Sequence, residues 1–143
     1  MIKAIIEERM ARIPAAAFLG MKLVDMSEGT AVLELPFRPE FCNSLGNIQG
    51  GFVTALADAA GGIALYTVPP PKYAAPTISL EINFLEPARS TLRAHGRVLR
   101  CGSSVGTSFI EVFDASGALV AVSLASYRIF ISGKGPWPSQ CEY

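Results

Sequence analysis

The segment GGFVTALADAAGGIALY, residues 50–66, constrains the fold most, because it is apolar at almost every position. Its length and its spacing of bulky residues predict a helix, which a run of three prolines at 69–71 ends. The segment is a few residues too short to span a bilayer, and it contains one charged residue, Asp58. A helix that is apolar nearly all round must be covered on every side. We therefore predict a buried central helix of a soluble protein.

Most of the remaining sequence alternates between apolar and polar residues, as half-buried strands do. An N-terminal helix is predicted over about residues 1–13 and a polar tail over about 133–143. Between them we predict a hairpin before the apolar helix and a four-strand meander after it. The segments are 20–26, 30–37, 77–85, 91–100, 104–114 and 118–131. This order favours a single α+β domain, residues 1–143, in which a curved antiparallel sheet of about five to six strands wraps the helix.

Composition excludes several classes of protein. The chain has 12 basic and 12 acidic residues, so no net positive field is available to attract nucleic acid. Its three cysteines have no paired spacing, which predicts free thiols in a reducing compartment. The N-terminus lacks the pattern of an export signal. We expect a cytoplasmic protein that binds neither nucleic acid nor membrane. Because 50% of its residues are hydrophobic, we also expect surface buried against another subunit.

Asp58 is the only charged residue between Glu40 and Lys72. A carboxylate in an apolar helix is costly to bury, which makes Asp58 the first candidate for chemistry. The alternative is a structural carboxylate bonded to a nearby backbone group or hydroxyl. On a helical wheel Asp58 shares its side with small residues, and bulky residues occupy the opposite side. Gly61 and Gly62 lower helix stability, so we predict that another helix or a thin ligand approaches closely there.

The polar loop before the helix, NSLGNIQGG at residues 43–51, delivers backbone N–H groups to the helix start. The first N–H groups of a helix have no partner within the helix and carry the positive end of its dipole. Gly50 and Gly51 can present these groups to an anion. With Asp58 two turns further on, the segment combines donors for an oxyanion with a base or nucleophile.

The same loop and helix resemble the core motif of the PaaI-type acyl-CoA thioesterases, named after phenylacetic acid degradation. That motif has an Asn, a Gly, a His or Gln followed by two glycines, and an Asp after six further residues. The matching residues are Asn43, Gly46, Gln49, Gly50, Gly51 and Asp58. Two less specific motifs of the family resemble INFLEPA at 82–88 and VFDASGALVAVS at 112–123.

The resemblance implies a hotdog fold that assembles as a homodimer or as a tetramer of two dimers, with active sites at the subunit interface. Asp58 of one subunit would act as general base or nucleophile, and the Gly50 N–H of the other would be the oxyanion donor. Asn43 would orient the water or the carbonyl group, and Thr77 would lie near the attacking water. Further substrate contacts are implied for Gly46, Gln49 and Gly51. The implied reaction is hydrolysis of an acyl-CoA thioester, in which coenzyme A is part of the substrate and no cofactor or metal is expected.

The sequence departs from the family pattern in two ways. Gln49 stands where many relatives have His, and glutamine can form hydrogen bonds but cannot titrate. The only histidine, His95, is expected to be solvated on the arginine-bearing face of a strand. Relatives often have basic residues for the phosphates of coenzyme A in the turn that is CGSS here, at 101–104. The candidates that remain for phosphate binding are Arg97, Arg100 and Lys134.

Three alternatives stay open beside the thioesterase. A non-catalytic acyl-CoA-binding protein would keep the fold and the glycine pair without hydrolysis. A dehydratase or hydratase would rely on an Asp–His pair, and no histidine is well placed for it. A structural dimer with a decayed site is supported mainly by Gln49. Aromatic and aliphatic acyl groups both remain open at this level, as do the two roles of Asp58.

Overall fold

The structure, a computed structural model, describes residues 2–131. The helices are α1 (Ile2–Ala11), α2 (Pro14–Leu19) and α3 (Gly50–Tyr66), with a short 3₁₀ helix at Pro39–Phe41. The strands are β1 (Lys22–Ser27), β2 (Thr30–Leu35), β3 (Lys72–Ala74), β4 (Thr77–Phe84), β5 (Leu92–Cys101), β6 (Val105–Phe113), β7 (Leu119–Arg128) and β8 (Phe130–Ile131). The predicted tail, with Lys134, lies outside the described residues. Within them, no helix has both the length and the hydropathy needed to cross a bilayer.

Six strands form one antiparallel sheet in the order β1-β2-β5-β6-β7-β4, which confirms the α+β class and the predicted size of the sheet. The predicted meander is correct for β5, β6 and β7 but wrong for β4, which pairs with β7 instead of β5. Strand β2 takes the place beside β5. As a result β4 is an edge strand. The short strands β3 and β8 form a second sheet, which alternation did not predict because they have 3 and 2 residues.

Helix α3 packs against the sheet and supplies the centre of the core, as predicted. Leu56, Ala57 and Ala60 have no exposed surface. A Cβ atom at Gly96 of β5 would lie 2.6 Å from the carbonyl oxygen of Ala60, so the helix can approach β5 only because residue 96 has no side chain. Leu33 of β2 is also completely buried, and burial of such a side chain is worth about 1.5–3 kcal/mol.

Gly61 faces the sheet, which corrects the prediction made for it, whereas Gly62 also lines a pocket that opens beside Asp58. A Cβ atom at Gly61 would overlap the hydroxyl of Tyr127 and lie 2.9 Å from Cδ1 of Ile110. The hydroxyl of Ser108 donates a hydrogen bond of 3.0 Å to the carbonyl of Gly61. The close neighbour at Gly61 is therefore the sheet, and neither a helix nor a ligand. A helical wheel groups residues by side but does not say which side meets the sheet.

The N-terminal region contains two helices where the sequence pattern predicted one. Pro14 was expected to end a helix, but it begins α2. Proline is tolerated at the first position of a helix, because its missing N–H would have no partner there. Helix α2 ends at Leu19, and the next residue, Gly20, has a φ of 70° and donates its N–H to the carbonyl of Ala17 at 3.1 Å. Met10 of α1 and Leu19 of α2 belong to the same core as α3.

Candidate active site

Asp58 lies in the middle of α3 and is hydrogen-bonded by the first residue of β4. The hydroxyl of Thr77 donates to Oδ1 of Asp58 at 2.6 Å. Asp58 is half-buried and Thr77 is exposed, so the pair is accessible from outside the core. Within residues 2–131, no basic side chain forms an ion pair with Asp58. The structure thus brings together the two side chains that the resemblance assigned to the reacting groups.

Tyr127 of β7 supports the same turn of α3 and was not singled out from the sequence. Its hydroxyl donates to the backbone carbonyl of Asp58 at 2.8 Å. Burial, together with the nearby charge of Asp58, raises the pKa of the Tyr127 phenol, which therefore stays protonated. In the sequence, Tyr127 shows only that it faces inward from the last long strand. Its contact with α3 becomes clear in the structure, where Tyr127 packs against Gly61.

A pocket of about 340 Å³, here called the Asp58 pocket, opens beside the carboxylate. Helix α3 forms one wall with small residues such as Ala59 and Gly62, and the N-terminal helices contribute the opposite wall with Ala15 and Ala16. Among the described residues that line the pocket, Asp58 is the only charged one. The arrangement presents a carboxylate, supported by a hydroxyl, at the side of an apolar cavity.

The first turn of α3 has two accessible N–H groups. In the described part of the chain, the N–H groups of Gly50 and Gly51 have no acceptor, whereas Phe52 donates to the carbonyl of Gln49 at 3.0 Å. Gly51 is exposed, and nothing lies within 4 Å of a Cβ atom built on it. The ring of Phe84, at the end of β4, lies against Gly50. These two N–H groups are available to bind a carbonyl oxygen.

The loop before α3 is held mainly by Asn43. Its Oδ1 accepts hydrogen bonds from the N–H groups of Leu45 at 2.9 Å and Asn47 at 3.2 Å. Gly46 has a φ of 77°, which permits the turn inside this loop. The NH₂ of Asn43 donates no hydrogen bond to any described residue, so it can donate to a ligand. Gln49 is the N-cap residue of α3, and its exposed side chain makes no capping hydrogen bond.

Gly50 and Asp58 of one chain are too far apart to contact the same substrate group. Gly50 lines a second pocket of about 500 Å³, the Gly50 pocket, together with Asn43 and Phe84. Eight residues of helix separate Gly50 from Asp58, a distance of about 12 Å along the axis. One carbonyl group cannot contact both at once. The two parts of the predicted constellation can act on one substrate only when a second chain supplies one of them.

The remaining candidates lie away from both pockets. The guanidinium of Arg97 is 5.0 Å from the ring centroid of Phe109, its neighbour on β6, and Arg100 is exposed near the end of β5. Neither residue lines the Asp58 pocket or the Gly50 pocket. His95 is exposed, as predicted, and its ring packs edge-on against Phe113 at 5.1 Å.

Metal-binding side chains are not grouped in the described residues. Across 2–131, no cluster of three or more His, Cys, Asp or Glu side chains could hold a metal ion. Cys42 and Cys101 are half-buried free thiols. The groups near the two pockets that can take part in chemistry are the Asp58 carboxylate, the hydroxyls of Thr77 and Tyr127, the NH₂ of Asn43 and the N–H groups at the start of α3.

Comparisons with known proteins identify the family. A sequence profile of the thioesterase superfamily matches residues 45–121, which include most of the loop, α3 and the strands β4 to β6, but not Asn43. A protein of Halobacterium salinarum that bears the name "Putative esterase" is 37% identical over 125 residues, covering 80% of this chain and 83% of that protein. A protein of Saccharolobus solfataricus with the same descriptive name is 38% identical over 113 residues, covering 78% and 80%. The chain belongs to the thioesterase superfamily.

A solved structure connects the chain to the PaaI-type branch. The E. coli PaaI protein, from the phenylacetic acid degradation operon, superposes with a TM-score of 0.80 at 26% identity. The match covers 90% of this chain and 94% of that one. The predicted hotdog fold and the resemblance to PaaI-type proteins are confirmed. Membership of the superfamily supports the general class of reaction, which is hydrolysis of thioesters or esters.

Proposed function

We propose that the protein hydrolyses acyl-CoA thioesters to a free acid and coenzyme A. The observation that carries this proposal is the setting of Asp58, whose carboxylate accepts a hydrogen bond from Thr77 and lines a pocket that is otherwise uncharged. Such a carboxylate can take a proton from a water molecule beside an apolar acyl group. The names of the relatives from Halobacterium salinarum and Saccharolobus solfataricus agree with a hydrolytic role.

In the proposed reaction, the Gly50 N–H of the second subunit donates a hydrogen bond to the carbonyl oxygen of the thioester. Asp58 either removes a proton from the attacking water or attacks the carbonyl carbon itself, forming an anhydride that water then hydrolyses. In both routes the C–S bond breaks and the sulfur of coenzyme A leaves as a thiolate that takes up a proton. Thr77 orients the carboxylate, and the NH₂ of Asn43 can donate to the water or the carbonyl group. One such N–H donor is typically worth about 2.7–4 kcal/mol in the transition state.

The edge strand β4 supports a dimer that completes this site. Ile78 and Phe84 of β4 are 57% and 54% exposed, and an unpaired edge with apolar side chains favours pairing with another strand. Thr77, which contacts Asp58, is at one end of β4, and Phe84, which contacts Gly50, is at the other. Symmetric antiparallel pairing of two β4 strands would bring Asp58 of one chain near Gly50 of its partner. A tetramer of two such dimers is equally compatible with the proposal.

Recognition of coenzyme A is proposed for the loop before α3 and for a neighbouring subunit. Gly46, Gln49 and Gly51 lie in or beside the loop that precedes the accessible N–H groups. Among the described residues, no basic side chain lines either pocket. Phosphate contacts from Arg97 or Arg100 would therefore have to come from another copy of the chain.

A free-thiol assay over a panel of acyl-CoA thioesters tests the proposal. The wild-type protein should release coenzyme A, and Asp58→Asn should lower kcat by about 10²–10⁴-fold, because the variant has lost its base or nucleophile. Asp25→Asn is the matched control, since it makes the same change at an exposed residue outside both pockets. Unchanged turnover in Asp58→Asn would contradict the assignment of Asp58. Saturable binding without release in the wild type would favour the non-catalytic acyl-CoA-binding protein.

A further inference from the structure

Tyr66, the last residue of α3, borders two cavities. It lines the Asp58 pocket, and it also lines a cavity of about 490 Å³, here called the Pro69 cavity, formed by α1 and the segment after α3. Of the described residues, Tyr66 is the only one that lines both. Tyr66 therefore lies where the two cavities adjoin, and its side chain is here called the partition. The lining of the Pro69 cavity includes Ile6, Arg9, Tyr66, Pro69 and Pro71.

Arg9 of α1 restrains this partition. Nη2 of Arg9 donates to the hydroxyl of Tyr66 at 3.3 Å, and the guanidinium carbon is 4.6 Å from the ring centroid. A cation over an aromatic ring and a hydrogen bond to its hydroxyl together fix both the plane and the end of the side chain. The partition is thus held by α1 as well as by the end of α3.

The position of Tyr66 defines a length. Asp58, Gly62 and Tyr66 follow one another at intervals of four residues, so they lie on the same side of α3, and all three line the Asp58 pocket. Eight residues of helix correspond to about 12 Å. An extended chain advances about 1.2 Å per bond, since a residue of three bonds spans about 3.3–3.6 Å. An acyl chain that starts at Asp58 therefore reaches Tyr66 after roughly ten bonds.

We propose that the Asp58 pocket holds the acyl group and that Tyr66 sets its maximum length, at about eight to ten carbons. The inference rests on the proposed function and adds the class of substrate, an uncharged apolar acyl group of medium length. The lining contains no charged residue except Asp58, so a charged acyl group would lose its hydration without compensation. A long-chain acyl group would have to pass Tyr66 into the Pro69 cavity.

The test measures kcat/KM for acetyl-, hexanoyl-, octanoyl-, dodecanoyl- and palmitoyl-CoA, with the long-chain substrates kept below micelle-forming concentrations. For the wild type, we expect kcat/KM to rise up to octanoyl-CoA and to fall at least tenfold by palmitoyl-CoA. Tyr66→Ala opens the partition, so the octanoyl-to-palmitoyl ratio should fall at least tenfold. Tyr66→Phe keeps the ring and should keep the ratio of the wild type. A ratio measured on one enzyme preparation does not depend on how much of the variant is folded.

A second variant makes the Asp58 pocket smaller, whereas Tyr66→Ala makes it larger. Ala16→Leu, on α2, adds three carbons to the wall that faces α3, and it should lower activity toward octanoyl-CoA relative to acetyl-CoA. Turnover without any fall between octanoyl and palmitoyl, or a ratio unchanged in Tyr66→Ala, would overturn the inference while leaving the proposed function intact. Absence of turnover at every chain length would overturn the proposed function and this inference together.

Discussion

The two Gly-Gly pairs of α3 have the same sequence but lie in different surroundings and have different structural roles. Gly50 and Gly51, in the first turn, leave their N–H groups without acceptors among the described residues, and a Cβ atom at Gly51 would meet nothing. Gly61 and Gly62, three turns later, are buried, and a Cβ atom at Gly61 would overlap the hydroxyl of Tyr127. Glycine at the first pair keeps donors accessible to a ligand, and glycine at the second lets the sheet approach.

This contrast shows how one helix can be both an active-site element and the centre of the core. Asp58 lies between the two pairs. In the proposed dimer the accessible turn would supply the N–H donor for the partner's carboxylate, and Tyr127 of β7 hydrogen-bonds the Asp58 backbone from the sheet. Changes at the first pair should therefore act mainly on activity, and a change at Gly61 should act mainly on stability.

Of the changes at the two glycine pairs, the largest effect on activity is expected from Gly50→Pro. Proline removes the N–H at the first position of a helix, where it is structurally tolerated, and Gln49 before it already has the extended conformation that proline requires, with φ −61° and ψ 139°. Loss of one oxyanion donor predicts a fall in kcat of about 10²–10³-fold. The thiol-release assay measures the effect, and circular dichroism checks the fold. Gly50→Ala brings a similar contact with the ring of Phe84 but keeps the N–H, so an equal loss in both variants would contradict the role of the donor.

Mixed dimers test whether Asp58 and Gly50 of one active site come from different subunits. Asp58→Asn and Gly50→Pro homodimers each lack a complete site, whereas their heterodimer retains one intact site of two. Purified through two different tags, the heterodimer should have about half the activity of the wild type, because one of its two sites keeps both the carboxylate and the donor. A heterodimer as inactive as its parents would exclude a site shared between subunits.

Gly61→Ala should cause the largest loss of stability. The new methyl group would collide with the hydroxyl of Tyr127 and with Ile110 in the core, and such overpacking typically costs about 1–3 kcal/mol. Gly51→Ala should leave the free energy of unfolding unchanged or raise it by up to about 1 kcal/mol, because alanine favours the helix and meets no neighbour. Urea denaturation measures both variants. Equal unfolding free energies for Gly61→Ala and Gly51→Ala would contradict the structural difference between the two glycine pairs.

Thr77→Val should produce a smaller change in activity. Valine keeps the branched shape of threonine but cannot donate the 2.6 Å hydrogen bond to Asp58. At this exposed position we expect the transition state to lose about 1.4 kcal/mol of stabilisation, which corresponds to about a tenfold fall in kcat. Thr77→Ser restores a hydroxyl and should recover most of the activity. A serine variant as slow as the valine variant would indicate that the effect comes from packing of β4 and not from the hydrogen bond.

Tyr127→Phe should have the smallest effect at neutral pH. It removes one hydrogen bond, so the free energy of unfolding should fall by about 1 kcal/mol. Burial raises the pKa of Tyr127, whereas a tyrosine of the unfolded chain ionises near a pKa of about 10. Above that pH, unfolding releases the proton, so stability should fall as pH rises. Urea denaturation at neutral and alkaline pH should show less alkaline destabilisation in Tyr127→Phe. An unchanged pH dependence would mean that Tyr127 does not carry it.

Local patterns predicted those features of the fold that depend on neighbours in sequence. The bounds of α3 agree with the predicted helix, because its apolar run has an abrupt start at a glycine pair and ends before the prolines. Helix α2 was missed because Pro14 is compatible with both the end and the start of a helix. The partners of β4 were missed because alternation identifies a strand without identifying its neighbour.

The candidate site was predicted to a different degree in each of its parts. Asp58 stands out in the sequence as a lone charge. The family resemblance placed Thr77 near the attacking water, and its hydrogen bond to Asp58 was found only in the structure. Tyr127 and Tyr66 carried no local signal, because one acts from a distant strand and the other acts by separating two cavities. Their importance depends on distances between elements, which periodicity does not encode.

The sequence by itself determined the types of the long elements, the apolar helix at 50–66 and the single carboxylate within it, since each depends on side chains a few residues apart. Tertiary structure alone decided which side of α3 meets the sheet, which strand pairs with β4, and that Tyr66 lies where the Asp58 pocket and the Pro69 cavity adjoin. The physical reason is that packing joins residues far apart in the chain. Its outcome depends on how volumes and chain connections fit together, and no local pattern specifies that fit.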